Sequence, residues 1–200
     1  MSKLLDDLVD QLSKLPTVGR RTALRLALYI LREDRGEVDS LADSIRSFRH
    51  GIKFCNRCNN LSDQEICPIC ADPRRDRTTV CVVETVGDLL SIEHTRQYNG
   101  LYHVLGGVIS PMAGIAPSDL KIDLLVDNIA RGEIREVILA ISATVEGETT
   151  LFYIMRRLAQ FPNLKITKIA RGIGVGDEIE YANELTIAHA LHNRTEVTRS

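Results

Sequence analysis

Residues 55–70 read Cys-Asn-Arg-Cys-Asn-Asn-Leu-Ser-Asp-Gln-Glu-Ile-Cys-Pro-Ile-Cys, which places two Cys-x-x-Cys pairs eight residues apart. Two residues between the thiols of a pair let both sulfurs face one metal ion, and two pairs complete a tetrahedral shell. Soft thiolates favour zinc, and a closed shell leaves no position for a substrate. Cys55, Cys58, Cys67 and Cys70 are therefore predicted to hold structural zinc (Zn2+). An iron–sulfur cluster is the alternative that the same ligands allow.

The rest of the chain has the composition of a globular protein with a core. Of its 200 residues, 44% are apolar and 26% are charged, and no apolar run reaches the ~20 residues of a membrane span. Acidic residues follow Met1 where a secretory signal would have its apolar stretch, which predicts a cytoplasmic protein. In that compartment disulfides between the cysteines are disfavoured. The fifth cysteine, Cys81, lies in a strand pattern and is expected to be a buried apolar residue.

The charge balance argues against a strongly cationic nucleic-acid-binding protein, because the net charge is −2. The charge is unevenly distributed: residues 1–78 hold 14 Lys and Arg against 12 Asp and Glu, whereas residues 79–200 hold 11 against 15. A small basic surface on an acidic chain contacts phosphates without releasing many counterions. If the chain binds DNA, its intrinsic affinity is expected to be modest, with multivalency or a partner adding to it.

Three helices are predicted upstream of the cysteines. Apolar residues at helical spacing over residues 4–15 predict the first. The stretch Leu15-Pro16-Thr17-Val18-Gly19 ends it, because proline disfavours helical geometry in the preceding residue, and Gly19 is expected to relax the turn. A second helix follows, ending near Leu31. The third spans about Val38 to Gly51, with an apolar stripe expected to face inward, formed by Leu41, Ile45 and Phe48.

The turn between the first two helices is similar to a helix–hairpin–helix nucleic-acid element. Free N–H groups at a helix start attract a phosphate, and cations one turn further on strengthen the contact. Arg20, Arg21 and Arg25 are the candidate DNA-binding residues. The element's usual turn is Leu-Pro-Gly-Ile-Gly, whereas this chain has Thr17 at the first glycine, and a β-branched residue tolerates positive φ poorly. A plain helical hairpin used for packing or dimerisation is the alternative.

Downstream of the cysteines, short β-branched runs alternate with helical patterns. The predicted strands lie at residues 80–84, 102–105, 137–141 and 165–169, and the predicted helices at about 86–95, 122–131, 148–160 and 184–192. Strands that alternate with helices indicate an α/β sheet that is mostly parallel.

With this order of parts, nearly the whole chain resembles the RecR family of bacterial recombination mediators. The stretches that carry the resemblance are Cys70–Arg77, Val82–Glu84, Tyr98–Gly107, Ser110-Pro111, Thr144–Glu148 and Ile169–Gly172. The resemblance implies a multidomain α+β protein with a helix–hairpin–helix domain at 1–52 and a four-cysteine zinc finger at 53–72. It further implies an α/β Toprim domain at 78–170, with a mostly parallel sheet, and a short C-terminal helical segment at 171–200.

The resemblance also implies a function without enzymatic turnover. Family members form dimers or tetrameric rings that clamp double- or single-stranded DNA. They act with RecO, and RecF is a further candidate partner. Their role is to load recombinase onto strands coated with single-strand-binding protein, so a part in recombinational DNA repair is expected here.

The carboxylates of the α/β part favour a scaffold over a catalyst. Catalytic Toprim enzymes hold magnesium with a Glu after the first strand and an Asp-x-Asp after a later one. Glu84 and Asp88 fit the first position, but the later strand is followed by Ser142-Ala143-Thr144-Val145-Glu146. Glu84, Glu146 and Glu148 are therefore expected to form an acidic surface for a basic partner such as RecO. The alternatives are solvated loop acids, a Toprim-type magnesium-dependent DNA-processing enzyme, or an adaptor that binds only proteins.

The chain also departs from the family near its C-terminus. The usual Gly-x-Pro-x-Gly-Gly is here Gly172-Ile173-Gly174-Val175-Gly176-Asp177. Without a phosphate-binding Gly-x-x-x-x-Gly-Lys-Ser/Thr motif, nucleotide hydrolysis is not expected. The glycines are expected to shape a turn, or a strand exchanged between subunits.

Overall fold

The computed structural model of the chain describes residues 2–174 and 176–194. Met1, Val175 of the glycine-rich stretch, and residues 195–200 of the predicted C-terminal segment lie outside the described residues. The chain divides into two compact units, Met1–Ile52 and Lys53–Ser200. None of the helices described here is both long and apolar enough to cross a bilayer.

The first unit contains the three predicted helices, α1 (Lys3–Leu12), α2 (Arg20–Ile30) and α3 (Arg35–Gly51). Its small core lies between α1 and α2, where Val9, Ala23 and Ala27 are buried. Helix α1 ends three residues earlier than the apolar pattern predicted. The reason is local. The Ser13 hydroxyl donates to the Val9 carbonyl at 2.7 Å. The Leu15 N–H donates to the Leu12 carbonyl three residues back, which is the spacing of a 3₁₀ turn rather than of an α-helix.

The prediction that the apolar stripe of α3 faces inward is wrong. No residue of α3 is buried, and the side chains of Leu41, Ile45 and Phe48 are 52%, 63% and 60% exposed. The sequence does define where the helix starts, because the Asp34 carboxylate caps it by accepting from the Gly36 N–H at 2.8 Å. An amphipathic stripe needs an opposing apolar surface, and in the single chain this one stays open to solvent.

The turn between α1 and α2 places its left-handed residue at Thr17 rather than at the glycine. The φ angle of Thr17 is 66°, whereas Gly19 has an ordinary φ of −75°. The Val18 N–H donates to the Leu15 carbonyl at 3.1 Å, which closes a four-residue turn with Pro16 at its second position and Thr17 at its third. A type II turn has this arrangement and favours glycine at the third position. The chain therefore stores backbone strain at Thr17.

The second unit begins with a small hairpin, β1 (Lys53–Phe54) paired antiparallel with β2 (Leu61–Ser62), followed by the short helix α4 (Pro68–Ala71). It continues into a four-stranded sheet formed by β3 (Asp76–Val83), β4 (Gly100–Val104), β5 (Glu136–Ala140) and β6 (Lys165–Lys168). The strand order is β4-β3-β5-β6, and each of the three pairings is parallel, which confirms the predicted parallel sheet.

Helices cover both faces of this sheet. On one face Val80 and Val82 of β3 pack with Leu125 of α6 (Ile122–Ala130) and Ile154 of α7 (Val145–Leu158). On the other face Cys81 packs in the cluster that includes Leu89 of α5 (Val86–His94). Cys81 is buried, as predicted, and its burial raises the pKa of the thiol to about 12.

Three features of the last third of the chain can be compared with the sequence predictions. Helix α7 starts three residues before the predicted position, because the Thr144 hydroxyl caps it by accepting from the Gly147 N–H at 3.0 Å. The last helix, α8 (Glu184–His192), has the predicted bounds. In the glycine-rich stretch, Gly176 has a φ of 91° and the Asp177 N–H donates to the Gly174 carbonyl at 3.1 Å, which is a turn, as predicted.

Replacing Thr17 by glycine is expected to stabilise the protein. Left-handed backbone costs a non-glycine residue roughly 1–2 kcal/mol, and glycine's extra freedom in the unfolded chain offsets about half of that gain. We expect Thr17→Gly to raise the free energy of unfolding by roughly 1 kcal/mol in urea titrations of the full chain.

The matched control is Thr22→Gly, the same substitution inside α2. Glycine is less favourable than threonine in a helix by about 0.3–0.5 kcal/mol, so this variant should be slightly less stable than the parent. If both variants lose stability to the same extent, Thr17 carries no strain.

Candidate metal centre and nucleic-acid interface

The four cysteines of the second unit converge on one point. Their sulfurs all lie within 4.8 Å of one another, and each residue is at most 2% exposed. All four are free thiols, and the Cys58 and Cys67 sulfurs are 3.6 Å apart, far beyond a disulfide bond. Four sulfurs at about 2.3 Å from a central zinc ion would be separated by slightly less than 4 Å. The cluster therefore fits a zinc ion at its centre.

Backbone turns set the cysteines in place. In the first pair, the Asn59 N–H donates to the Cys55 carbonyl at 2.9 Å, and Asn59 adopts a left-handed φ of 61°, which asparagine tolerates. In the second pair, Cys67 precedes helix α4, and its sulfur accepts from the Cys70 N–H at 3.5 Å. The Cys67 N–H donates to the Cys55 sulfur at 3.3 Å, which joins the two pairs. Such N–H donors stabilise thiolates.

Crowding of the thiols explains why a cation is needed. A hydrogen bond between the Cys58 and Cys67 sulfurs, in which either can be the donor, lowers the pKa of Cys67 and raises the pKa of Cys58. The thiolate form is thus stabilised at Cys67 and destabilised at Cys58. A divalent cation removes this competition, because it stabilises all four thiolates together, and it supplies folding free energy to a segment with few apolar residues.

The metal centre is bonded directly to the sheet of the second unit. The Val104 N–H at the end of β4 donates to the Cys58 carbonyl at 2.8 Å, and the Asn59 amide donates back to the Val104 carbonyl at 2.9 Å. From α6, the Asn128 amide donates to the Arg57 carbonyl at 2.6 Å. The first cysteine pair is therefore held by a sheet strand and a helix, and its loss would leave these groups unpaired.

The predicted DNA-binding arginines lie together on the first turns of α2, with different surroundings. Arg20 pairs with Asp10 at 2.5 Å and lies 3.9 Å from Asp6, so acids of α1 neutralise it. Arg21 and Arg25 are exposed and form no ion pair within the described part of the chain. Gly19 precedes α2 without a side-chain cap, and the first turn holds no acid. The N–H groups and positive dipole end of α2 are therefore open to an anion.

The predicted acidic surface lies where β3 and β5 end, but two of its three carboxylates have internal partners. Glu84 accepts from the Ser142 N–H at 2.6 Å, and Glu148 pairs with Arg171, which also donates to the Ile141 carbonyl at 3.3 Å. Sequence reasoning missed Arg171 as a counter-ion, because 23 residues separate it from Glu148 and neither belongs to a local motif. The half-buried Glu146 forms no side-chain bond within residues 2–174 and 176–194.

The carboxylate of the neighbouring Asp88 also has internal hydrogen-bond partners. Its carboxylate accepts from the Thr85 N–H at 2.8 Å in the capping box that starts α5. Within the described residues, the four cysteines are the only group of three or more Cys, His, Asp or Glu side chains whose ligand atoms converge. The acids at the sheet edge therefore do not form a metal-type cluster.

Loss of one cysteine of the cluster is expected to release the metal and unfold the finger. In Cys67→Ser the metal content should fall from about one zinc ion per chain to near none. The second unit should lose more than about 4 kcal/mol, since loss of a metal is among the largest single-site effects. Elemental analysis of the purified protein and urea unfolding measure the two quantities.

Cys81→Ala is the control, because it removes a buried thiol that lies outside the cluster. This variant should keep its zinc. Full metal content in Cys67→Ser would exclude the four-thiolate site.

Family comparisons match four consecutive parts of the chain. Residues 5–48 match the RecR helix–hairpin–helix, and residues 52–72 match the RecR four-cysteine zinc finger domain. Residues 78–170 match the Toprim domain, and residues 172–195 match the RecR C-terminal family. The order is the one that the sequence predicted, and the converged thiols are those of a structural zinc site.

Curated relatives match over nearly the whole chain. A recombination protein RecR from Bacteroides thetaiotaomicron is 53% identical over 97% of this chain and 94% of the relative. Those from Parabacteroides distasonis and Porphyromonas gingivalis are each 52% identical, over 98% and 100% of this chain and 93% and 96% of their own lengths. At this identity and coverage, the chain belongs to the RecR family of recombination proteins.

Proposed function

We propose that this chain acts in the cytoplasm as a non-catalytic mediator of recombinational DNA repair. It binds double- and single-stranded DNA as a homo-oligomer that encloses the strand, and with RecO it helps to load recombinase. RecF is a further candidate partner. The observation that carries the proposal is the uncapped start of α2, with exposed arginines, in a unit that matches a RecR helix–hairpin–helix.

The electrostatics of α2 support DNA binding. A phosphate near Gly19 would accept from the backbone N–H groups of the first turn, while Arg21 and Arg25 reach adjacent phosphates. These two arginines are four residues apart, so they lie on one face of the helix. Arg20 contributes less, because reaching a phosphate would break its ion pair with Asp10. Two arginines per chain make a weak site, which several copies on one strand would strengthen.

The exposed apolar stripe of α3 supports a homo-oligomer. Leu41, Ile45 and Phe48 present a continuous apolar surface at helical spacing, each more than half exposed. The C-terminal segment adds a second such surface, since Ile179, Tyr181 and Leu185 are 64%, 80% and 74% exposed. Apolar surfaces of this kind are typical of interfaces between subunits. We propose that copies of the chain pair through them, as a dimer or a tetrameric ring.

The internal hydrogen bonds of the carboxylates support a function without catalysis. Magnesium at the sheet edge would need several unpaired oxygens. Glu84 is held by the Ser142 N–H, Asp88 caps α5, and the later strand is not followed by an Asp-x-Asp. These carboxylates position backbone rather than a metal ion. They therefore support the mediator over a magnesium-dependent DNA-processing enzyme.

We propose the same edge as the docking surface for RecO. Glu146 offers the carboxylate with the fewest internal bonds there. Glu84 and Glu148 are the other acids of this surface, although Arg171 offsets the charge of Glu148. Both remain partly exposed despite their internal bonds. An acidic surface of fixed side chains suits a basic partner, for which it would raise the rate of association. Glu146 is thus the residue on which this contact depends most.

Removing the two exposed arginines of α2 is expected to abolish retention on DNA. The double variant Arg21→Ala, Arg25→Ala should bind DNA far more weakly and should show a smaller salt slope, by about 1 for each phosphate that the variant no longer neutralises. Its unfolding curve should match the parent, because both side chains are exposed. Gel-shift assays at several salt concentrations, with and without RecO, measure the effect.

The control is Arg135→Ala, Arg156→Ala, which removes the same charge from exposed positions of the other unit. It should bind DNA with nearly the parent's affinity. Equal loss in both double variants would mean that net charge, rather than the hairpin, governs binding. Unchanged retention in the first variant would remove the assignment of Arg21 and Arg25.

A charge within the α3 stripe is expected to separate the subunits. Light scattering of the parent should give a mass that is a multiple of 22.3 kDa, and Ile45→Asp should shift it to a smaller multiple. Burying an unpaired carboxylate in an apolar contact costs several kcal/mol, which explains the direction.

Ser47→Asp adds the same charge to another face of α3 and should leave the mass unchanged. A parent that remains a single 22.3 kDa subunit at high concentration would contradict the oligomer.

A further inference from the structure

Helix α7 has large apolar residues on its outward face as well as on its inward face. The inward face packs into the core of the second unit through Leu151, Ile154 and Leu158, which are buried. On the outward face, Val145 is 81% exposed and Phe152 is 77% exposed. Seven residues, or two turns, separate these two, so they lie on one side of the helix. Because a surface helix normally keeps its outward face polar, this pair indicates that a partner covers α7.

The side chains of Val145 and Phe152 line one open groove on the surface of the second unit. Its other lining residues are Ala143, Thr144, Glu148 and Thr149. The volume of the groove is about 560 Å³. Single apolar side chains are common on protein surfaces, whereas apolar side chains grouped in one groove are typical of interaction sites. An open groove suits a segment of another protein, since small ligands are mostly enclosed by the pockets that bind them.

The first turn of α7 holds the groove in a fixed shape. The Thr144 hydroxyl accepts from the Gly147 N–H at 3.0 Å. Only glycine fits at position 147, because a Cβ atom there would collide with the Ser142 carbonyl. Ser142 is itself held by Glu84, which accepts from its N–H at 2.6 Å. A preformed surface of this kind loses little conformational entropy when a partner binds.

The charge around the groove selects the class of partner. Glu148 lines the groove, and Glu146 lies in the same first turn of α7. Arg171 pairs with one oxygen of Glu148, and a carboxylate can accept from donors at both of its oxygens. Acidic side chains repel phosphates, so the groove does not suit a nucleic acid. A second copy of the chain fits less well than a basic protein, because residues 79–200 hold 15 acids against 11 bases.

We propose that RecO, the partner of the proposed function, docks in this groove through a segment that carries a basic and an apolar side chain. The apolar side chain would lie between Val145 and Phe152, and the basic one would pair with Glu148. Because Glu148 and Phe152 are four residues apart, the two side chains of the partner should be about 6 Å apart. Phe152 is then the residue that contributes most apolar contact, while the carboxylates orient the segment. The groove extends the acidic surface of the proposed function, so the inference rests on that function.

Calorimetric titration of RecO into the full-length, zinc-loaded protein tests the proposal. Phe152→Ala should weaken binding by about tenfold or more, and it should make the heat capacity change of binding less negative, because less apolar surface is buried. The salt dependence of binding should equal the parent's, since no charge is removed. Glu146→Lys should also weaken binding, but with a smaller dependence on salt.

Phe54→Ala is the matched control, because it removes an exposed phenylalanine that lies on the finger and outside the groove. It should bind RecO with the parent's affinity. Val145→Ala is a second variant of the groove and should weaken binding about threefold, since it removes less apolar surface than Phe152→Ala. It keeps the proposal testable if Phe152→Ala does not fold.

Failure of the groove and failure of the proposed function give different results. If Glu146→Lys weakens binding while both groove variants bind as the parent does, the acidic surface stands and the groove is not part of it. If the parent does not bind RecO, or if no variant weakens binding, the proposed surface fails and the groove fails with it. Equal weakening by Phe54→Ala would overturn the proposal. So would a smaller mass of Phe152→Ala in light scattering with unchanged affinity for RecO, which would assign the groove to a second copy of the chain.

Discussion

The convergence of four cysteine sulfurs within 4.8 Å is the constraint on which the second unit depends. The finger has no apolar core of its own apart from these residues and Ile69, so the metal supplies what packing does not. Its first cysteine pair also receives the Val104 N–H at the end of β4 and the Asn128 amide of α6. The zinc site is therefore part of the sheet's hydrogen bonding as well as of the finger, and disorder in one would spread to the other.

The carboxylates at the edge of the sheet hold the neighbouring backbone segments together. Glu84 lies after β3, where a catalytic carboxylate would lie, but it accepts from the Ser142 N–H and so ties two neighbouring strand ends together. Glu148 is tied to the segment after β6 through Arg171. Each carboxylate stabilises the loops around it.

In the first unit, the strained residue and the exposed cations lie in one turn and the helix that follows it. Thr17 holds a left-handed backbone that favours glycine, and α2 then starts with an open N-terminus and three arginines. The structure separates these arginines, because Asp6 and Asp10 of α1 neutralise Arg20 alone. Contact between α1 and α2 thus selects which cations remain available for an anion.

Local patterns in the sequence were sufficient for the order of the parts, the four cysteines, the parallel sheet and the bounds of α8, because spacing and periodicity act over a few residues. Tertiary structure decided what depends on distant contacts. It placed Arg171 beside Glu148 and left the stripe of α3 exposed. Helical periodicity identifies an apolar stripe but not its partner, and a turn motif identifies a bend but not which residue adopts positive φ. Those outcomes depend on which surfaces meet in three dimensions, and residues far apart in the chain determine them.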